Sequence, residues 1–179
     1  GFHINQNVQY VGGLLFGITN FIRSSSKAEV FFTLFDVPVF KNWNWKLVLA
    51  LHSDFAIIVP NYRYATESGE WGWSTALRDI DYLYIDSMQI ARGWGYRSGG
   101  TARWNNFIEL RMPIFEQYLW FDFFFSGTAM WEDNSMLSSM NIDDFLFTFG
   151  AGPRITIPGF PLGFYFGKRF KTEDGVIQW

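Results

Sequence analysis

The segment with the most distinctive chemistry is Ile90–Tyr96, in which Arg92 stands between glycines and aromatic residues and which the glycine-rich Ser98–Gly100 follows. A guanidinium group is permanently charged and presents a rigid fork of N–H donors, so a buried one requires carboxylate partners. The segment lies between two strands with alternating apolar and polar residues. It is therefore predicted to be the tip of a long loop, 61–100, which is expected to be functional or partly folded because of its length.

The other side chains that could do chemistry do not combine into a catalytic or metal site. His52, Glu109 and Asp122 could exchange protons, but no nucleophile or metal-ligand spacing accompanies them. Gly150 and Gly152 are a poor phosphate signal without a following βα unit, and the pair is expected to give the loop room. The absence of cysteine excludes disulfides and thiolate sites. We expect no enzyme, no cofactor, no metal and, at a net charge of −3, no nucleic-acid partner.

The composition favours a surface that faces lipid. Aromatic residues make up 21% of the 179 residues, yet the mean hydropathy is only +0.01. A soluble core does not need so many rings, whereas a lipid-facing barrel with aromatic girdles does. No run reaches the roughly 18 uninterrupted apolar residues of a membrane helix. Strands are therefore the expected way of crossing a membrane.

Apolar and polar residues alternate with period two along several segments, which gives each predicted strand one apolar face. In 45–57 the polar face carries His52, and in later strands it carries Glu109, Asp122 and Arg154. These residues are assigned to a barrel interior. The apolar stripes are predicted to face lipid, with the core of a β-sandwich as the alternative. The most aromatic of them are Phe121, Phe123, Phe125 and Phe145, Phe147, Phe149.

The connections between strands alternate in length. Tight turns are predicted near Asn42, Pro113 and Gly159, and polar, mostly longer connections lie between them, one of them at Arg23–Lys27. Short turns at one end and longer loops at the other are typical of outer-membrane barrels. This pattern places loop 61–100 on the extracellular side. The loop is rich in aromatic and acidic residues, and it is expected to pack on the polar interior of the barrel, folding toward the lumen.

These patterns predict an all-β fold, an antiparallel transmembrane β-barrel of which residues 1–179 form a part of about 7–8 strands. One predicted strand is Ala28–Phe40, in which the alternation places Phe35 on the same face as Glu29, Phe31 and Thr33. The first residue is Gly1 rather than Met, and we interpret the chain as a fragment or a processed product.

Four segments together resemble the C-terminal half of a BamA-type barrel, the family of outer-membrane protein insertases and related two-partner transporters. Arg92-Gly93-Trp94 resembles the Arg-Gly-aromatic motif at the tip of the family's sixth extracellular loop. The other three resemble the strands Glu-Leu-Arg-x-Pro, Phe-x-Asp-x-Gly and Gly-x-Gly-x-Arg, although the glycine of the second comes later than usual. They are Glu109–Pro113, Trp120–Gly127 and Gly150–Arg154. Their shared order and spacing make the resemblance specific.

The resemblance implies a role for the arginine segment. In that family the motif arginine folds into the lumen and pairs with carboxylates on neighbouring strands. By position these carboxylates are Glu109 and Asp122, with Gly93 and Trp94 completing the tip around Arg92. The resemblance also implies a complete barrel of roughly 16 strands.

The resemblance further implies a function and partners. It implies folding and insertion of outer-membrane proteins, in the bacterial outer membrane, without bond chemistry. The implied partners are outer-membrane lipid, nascent outer-membrane proteins, assembly lipoproteins, the rest of the parent barrel and periplasmic POTRA domains. A two-partner secretion pore of the same superfamily is the alternative within the family. A self-contained small barrel acting as an anchor or adhesin is the alternative outside it.

Overall fold

The computed structural model describes residues 1–12, 21–41, 43–60, 62–64, 71–73, 77–115, 118–157 and 160–179. Within these ranges the chain forms β-strands and three short 3-10 helices, Asp79–Asp81, Asn134–Ser139 and Ile142–Asp144. None of the described helices is long and apolar enough to cross a membrane. The strands are β1 (Phe2–Val11), β2 (Phe21–Phe40), β3 (Trp43–Pro60), β4 (Tyr62–Tyr64), β5 (Trp71–Trp73), β6 (Leu83–Ile85), β7 (Arg97–Gly100), β8 (Ala102–Phe115), β9 (Leu119–Trp131), β10 (Phe145–Ile157), β11 (Phe160–Gly163), β12 (Phe166–Glu173) and β13 (Val176–Gln178).

Nine of these strands form one sheet in the order β1-β2-β3-β8-β9-β10-β12-β13, with β11 also paired to β10. Every pairing in it is antiparallel. β12 pairs with the first part of β10 and β11 pairs with its last part. β4–β5 and β6–β7 are separate two-stranded sheets within loop 61–100. The predicted all-β, antiparallel architecture is confirmed.

In β8, β9 and β10 the large sheet has one covered and one exposed face, and cross-strand partners share a face. Glu109 lies opposite Phe124, and these side chains are buried, with relative exposures of 3% and 5%. Ile108 lies opposite Phe125, which lies opposite Phe149, and these are 41–44% exposed. We call the Glu109 side the inner face and the Phe125 side the outer face. The alternation in the sequence assigns all five residues to the same faces as the structure does.

The structure corrects the connection predicted at Arg23–Lys27. This segment belongs to β2, where Lys27 lies opposite Asn5 and Ser24 lies opposite Val8 of β1. A ladder is made by backbone hydrogen bonds, so a run that is polar on both sides of the strand can still continue it. The segment that precedes β2, 13–20, lies outside the described residues.

The structure also corrects the face assigned to Phe35. A register shift between Thr33 and Phe35 pairs Phe35 with Leu47, and its ring meets that of Trp45 edge to face at 5.2 Å. A bulge adds one residue to a strand and thereby inverts the alternation beyond it. Phe35 therefore lies on the outer face. The predicted turns near Asn42 and at 158–159 lie outside the described residues.

Candidate functional site

Two arginines of the sheet fix the beginning of the described loop. Arg23 on β2 donates to the backbone carbonyl of Asp81. Arg103 on β8 donates to the carbonyl of Tyr84 at 2.8 Å and is itself paired with Asp54 of β3 at 3.0 Å. Both arginines bind loop backbone, and the buried side chain of Leu83 packs in a cluster with Phe21 and Ile58, so backbone and side-chain contacts together hold this part of the loop.

The turn before the tip is organised by Asp86. Its carboxylate accepts hydrogen bonds from the N–H groups of Met88, Gln89 and Ile90, at 2.8 to 2.9 Å. Partial burial raises the pKa of Asp86, but these three N–H donors lower it more, so the pKa lies below its ordinary value. Gly93 follows with a φ of +79°, a left-handed conformation that suits glycine. The sequence thus builds a tight, preformed tip.

The tip is hydrogen-bonded at three points to the inner face of the sheet, which we call the wall. They are Thr148 Oγ1 donating to the carbonyl of Arg92 (2.8 Å), Arg169 Nη1 donating to the carbonyl of Gly93 (3.3 Å) and Trp94 Nε1 donating to the carbonyl of Phe147 (3.2 Å). The sheet residues in these bonds belong to β10 (Phe147 and Thr148) and β12 (Arg169). The loop therefore lies against the inner face, on strands distant from it in sequence.

The side chain of Arg92 enters a pocket of acid and aromatic rings. Its Nη1 lies 3.1 Å from Oε1 of Glu109. Its guanidinium carbon lies 4.3 Å from the ring centre of Phe107, 4.9 Å from Phe124 and 4.6 Å from Tyr165. Cations over aromatic faces gain electrostatic energy, most of all where water is displaced. Arg92 is thus held by one carboxylate and three rings.

Glu109 holds two guanidinium groups at once. While Oε1 faces Arg92, Oε2 accepts from Arg111 Nη2 at 2.7 Å and from Nε at 2.8 Å. Only 3% of the Glu109 side chain is exposed, so its charge depends on both partners. Removing one partner of a buried pair leaves an uncompensated charge, which costs about 3–5 kcal/mol. Glu109 therefore joins loop and wall.

The structure differs from the expectation that Arg92 also pairs with Asp122. Within the described part of the chain, Asp122 pairs with Arg154, whose Nε lies 3.0 Å away, and accepts the Tyr165 hydroxyl at 3.1 Å. Asp122 lies opposite Arg111, one inner-face position along the ladder from Glu109. The Tyr165 ring covers Arg92 while its hydroxyl binds Asp122, so Tyr165 connects two adjacent ion-pair sites.

The two strand glycines make room for the neighbouring chain of the sheet, and Gly150 also makes room for the Phe124 ring, which contacts Arg92. A Cβ on Gly150 would meet the carbonyl oxygen of Phe166 and would lie 2.7 Å from Cα of Gly167. A Cβ on Gly152 would meet the carbonyl oxygen of Phe164. The glycines thus allow the chain on the other side of β10 to approach closely.

Sequence reasoning did not identify Tyr165 and Arg169 as site residues. The alternation that places Glu109, Asp122 and Arg154 inside also places Phe107, Phe124 and Thr148 there. An inward ring among charged residues is the sequence signal for a cation–π contact. Tyr165 lies in the interruption between β11 and β12, where alternation gives no direction. No pattern pointed to it.

Comparison with known proteins adds one relative. The chain is 30% identical over 178 residues to a Treponema pallidum (strain Nichols) protein named "Putative outer membrane protein assembly factor". The aligned region covers 86% of this chain and 20% of that protein, so the chain spans about a fifth of the relative's length. No solved structure matches the chain significantly. Residues 1–178 match the model of the Omp85 superfamily domain, which confirms the resemblance drawn from the motifs: the chain belongs to the Omp85 superfamily.

Proposed function

We propose that residues 1–179 are the C-terminal part of the barrel of an outer-membrane protein insertase, and that loop 61–100 folds into its lumen. The observation that carries the proposal is the Arg92–Glu109 ion pair, made by a loop tip that is also bonded to β10 and β12. Membership of the superfamily supports assembly or transport at the outer membrane. The name of the Treponema pallidum relative, an assembly factor, supports the same class of function.

The proposed role of the tip is mechanical. Glu109 of β8, Thr148 of β10 and Arg169 of β12 all bind it, so it ties together strands that would otherwise be held only by their ladders. A wall tied in this way resists opening. A seam elsewhere in the complete barrel then opens first, thins the bilayer locally and offers strand edges to a nascent barrel by β-augmentation.

The outer face is proposed to meet outer-membrane lipid. Phe123, Phe125 and Phe149 are 49%, 41% and 42% exposed there, and such a stripe is costly in water but favourable in hydrocarbon. The remaining proposed partners are nascent outer-membrane proteins, assembly lipoproteins, POTRA domains and the rest of the parent barrel.

The test uses the full-length parent protein with Arg92→Ala. Two properties are measured: the rate of proteinase K cleavage within loop 61–100, and the insertion of a second barrel protein into liposomes. We expect cleavage to accelerate and insertion to slow, because the tip loses its ion pair and its stacking on three rings.

Arg97→Ala is the matched control, since this arginine lies in the same loop with an exposed side chain. Unchanged protection and unchanged insertion in Arg92→Ala would reject the bracing role. A wild-type protein that secretes a partner but inserts no barrel protein would instead identify a secretion pore.

A further inference from the structure

A cavity of about 780 Å³ lies between the loop tip and the inner face of the sheet. Its polar lining includes Arg92 and Gln89 from the loop and Thr148, Arg154 and Tyr165 from the wall. No aspartate or glutamate lines it in the described ranges. A chain with a net charge of −3 thus presents a cavity whose charged lining is entirely basic.

The ion pairs around the cavity are unequal in number. Three guanidinium groups, those of Arg92, Arg111 and Arg154, meet two carboxylates, those of Glu109 and Asp122. Because Glu109 is shared by two arginines, one positive charge of this cluster is not neutralised within the described residues. An uncompensated charge in a partly enclosed site favours a counter-ion there.

Two guanidinium donors at the cavity remain available. Arg92 uses Nη1 on Glu109 and Nε on the carbonyl of Met88. Arg154 donates from Nη2 to Asp122 at 3.5 Å, and its Nε lies 3.0 Å from the same carboxylate as an ion pair without a hydrogen bond. Among the described residues, Arg92 Nη2 and Arg154 Nη1 have no hydrogen-bond partner. Three aromatic rings lie within 4.9 Å of the Arg92 guanidinium carbon and confine the group beside the cavity.

We propose that this cavity binds one oxyanion, a phosphate or carboxylate group, between Arg92 and Arg154, with the Gln89 amide as a further donor. Guanidinium groups recognise both oxyanions through paired, charge-assisted hydrogen bonds. The anion supplies the charge that the wall lacks and fastens the tip to β10. The proposal rests on the cluster itself and does not depend on the insertase role.

The experiment titrates the full-length parent with inorganic phosphate at constant ionic strength, by calorimetry and by broadening of the phosphate ³¹P resonance. One arm uses maltoside micelles, which contain no phosphate, and the other uses phospholipid nanodiscs. We expect saturable binding in micelles. Equal affinity in nanodiscs would support a soluble anion as the occupant, and weaker apparent affinity there would support a lipid headgroup.

The variant Gln89→Glu places a carboxylate at the cavity without removing an arginine. It should weaken phosphate binding roughly tenfold or more, because it supplies the missing charge in place of the ligand. Gln9→Glu is the matched control, an exposed position on β1. The absence of saturable binding in micelles, or equal binding by Gln89→Glu and wild type, would overturn the proposal. Neither result would bear on the liposome insertion assay.

Discussion

Glu109→Gln is the substitution that isolates the charge of the loop anchor. Glutamine keeps the size of the side chain and can still accept a hydrogen bond, so the packing of β8 is preserved. The change removes the negative charge that Arg92 and Arg111 share. Stacking of Arg92 on its three rings is left in place.

The magnitude follows from burial. Breaking a fully buried ion pair costs about 3–5 kcal/mol. The Arg92 and Arg111 side chains are 17% and 24% exposed, so water compensates part of the loss. We expect the tip to lose about 2–3 kcal/mol of its docking free energy. Since about 1.4 kcal/mol corresponds to a factor of ten, the open population rises roughly 30- to 150-fold.

Amide hydrogen exchange at the tip measures this population. The N–H groups of Gly93 and Trp94 bond to the carbonyls of Ser87 and Ala91, each at 3.0 Å, inside the folded turn. Their exchange requires local opening, so its rate follows the open population when reclosing is fast. Full-length protein in micelles at fixed pH is the sample.

The control is Glu132→Gln, which makes the same change at an exposed position just after β9. It should leave exchange at the tip unchanged. If Glu109→Gln also left the exchange of Gly93 and Trp94 within twofold of wild type, the ion pair would not hold the loop and the reasoning would be refuted.

Three further predictions use other parts of the site. Gly150→Val should destabilise the barrel by about 1–3 kcal/mol, because the new side chain meets the backbone of Phe166 and Gly167. Heat-modifiable gel migration measures this loss. The control is Gly95→Val, since a side chain at Gly95 would enter open space. Tyr165→Phe should lower the free energy of unfolding by about 1 kcal/mol, because the hydrogen bond to Asp122 is lost; thermal unfolding measures this. Amide exchange at the tip should stay unchanged, because the ring next to Arg92 remains, and faster exchange there would contradict this. Acidification should release the tip. The pKa of Asp86 lies below its ordinary value of 3.8, so its stabilisation is present above pH 3.8 and is lost as the pH falls from there through the lowered pKa. Proteinase K is unsuitable at that pH, and pepsin cleavage of loop 61–100 reports the release; protection lost already near pH 6 would contradict the role of Asp86.

Much of the sheet followed from the sequence because a strand repeats every two residues. The inner position of Glu109 and the outer position of Phe125 required only counting. Counting failed where the chain departs from that period. The bulge before Phe35 inverts the faces, and the polar serines after Arg23 continue a ladder that side-chain polarity does not report.

The site was predictable only in part for a related reason. The motif identified Arg92 and its partner Glu109, whose contact the structure places at 3.1 Å. It did not identify the partners of Asp122, because these depend on register between strands and on Tyr165, which lies at a break between two strands. Such three-dimensional neighbours have no fixed spacing in the sequence.

The central claim is that the loop tip and the wall are coupled through Arg92 and Glu109. A double-mutant cycle with Arg92→Ala, Glu109→Gln and both together, read by amide exchange at Gly93 and Trp94 in the full-length protein, measures that coupling directly. We expect a coupling free energy of at least about 1.5 kcal/mol, so that the second substitution costs less by at least that amount once the first is made. Effects that add to within about 0.5 kcal/mol would contradict it.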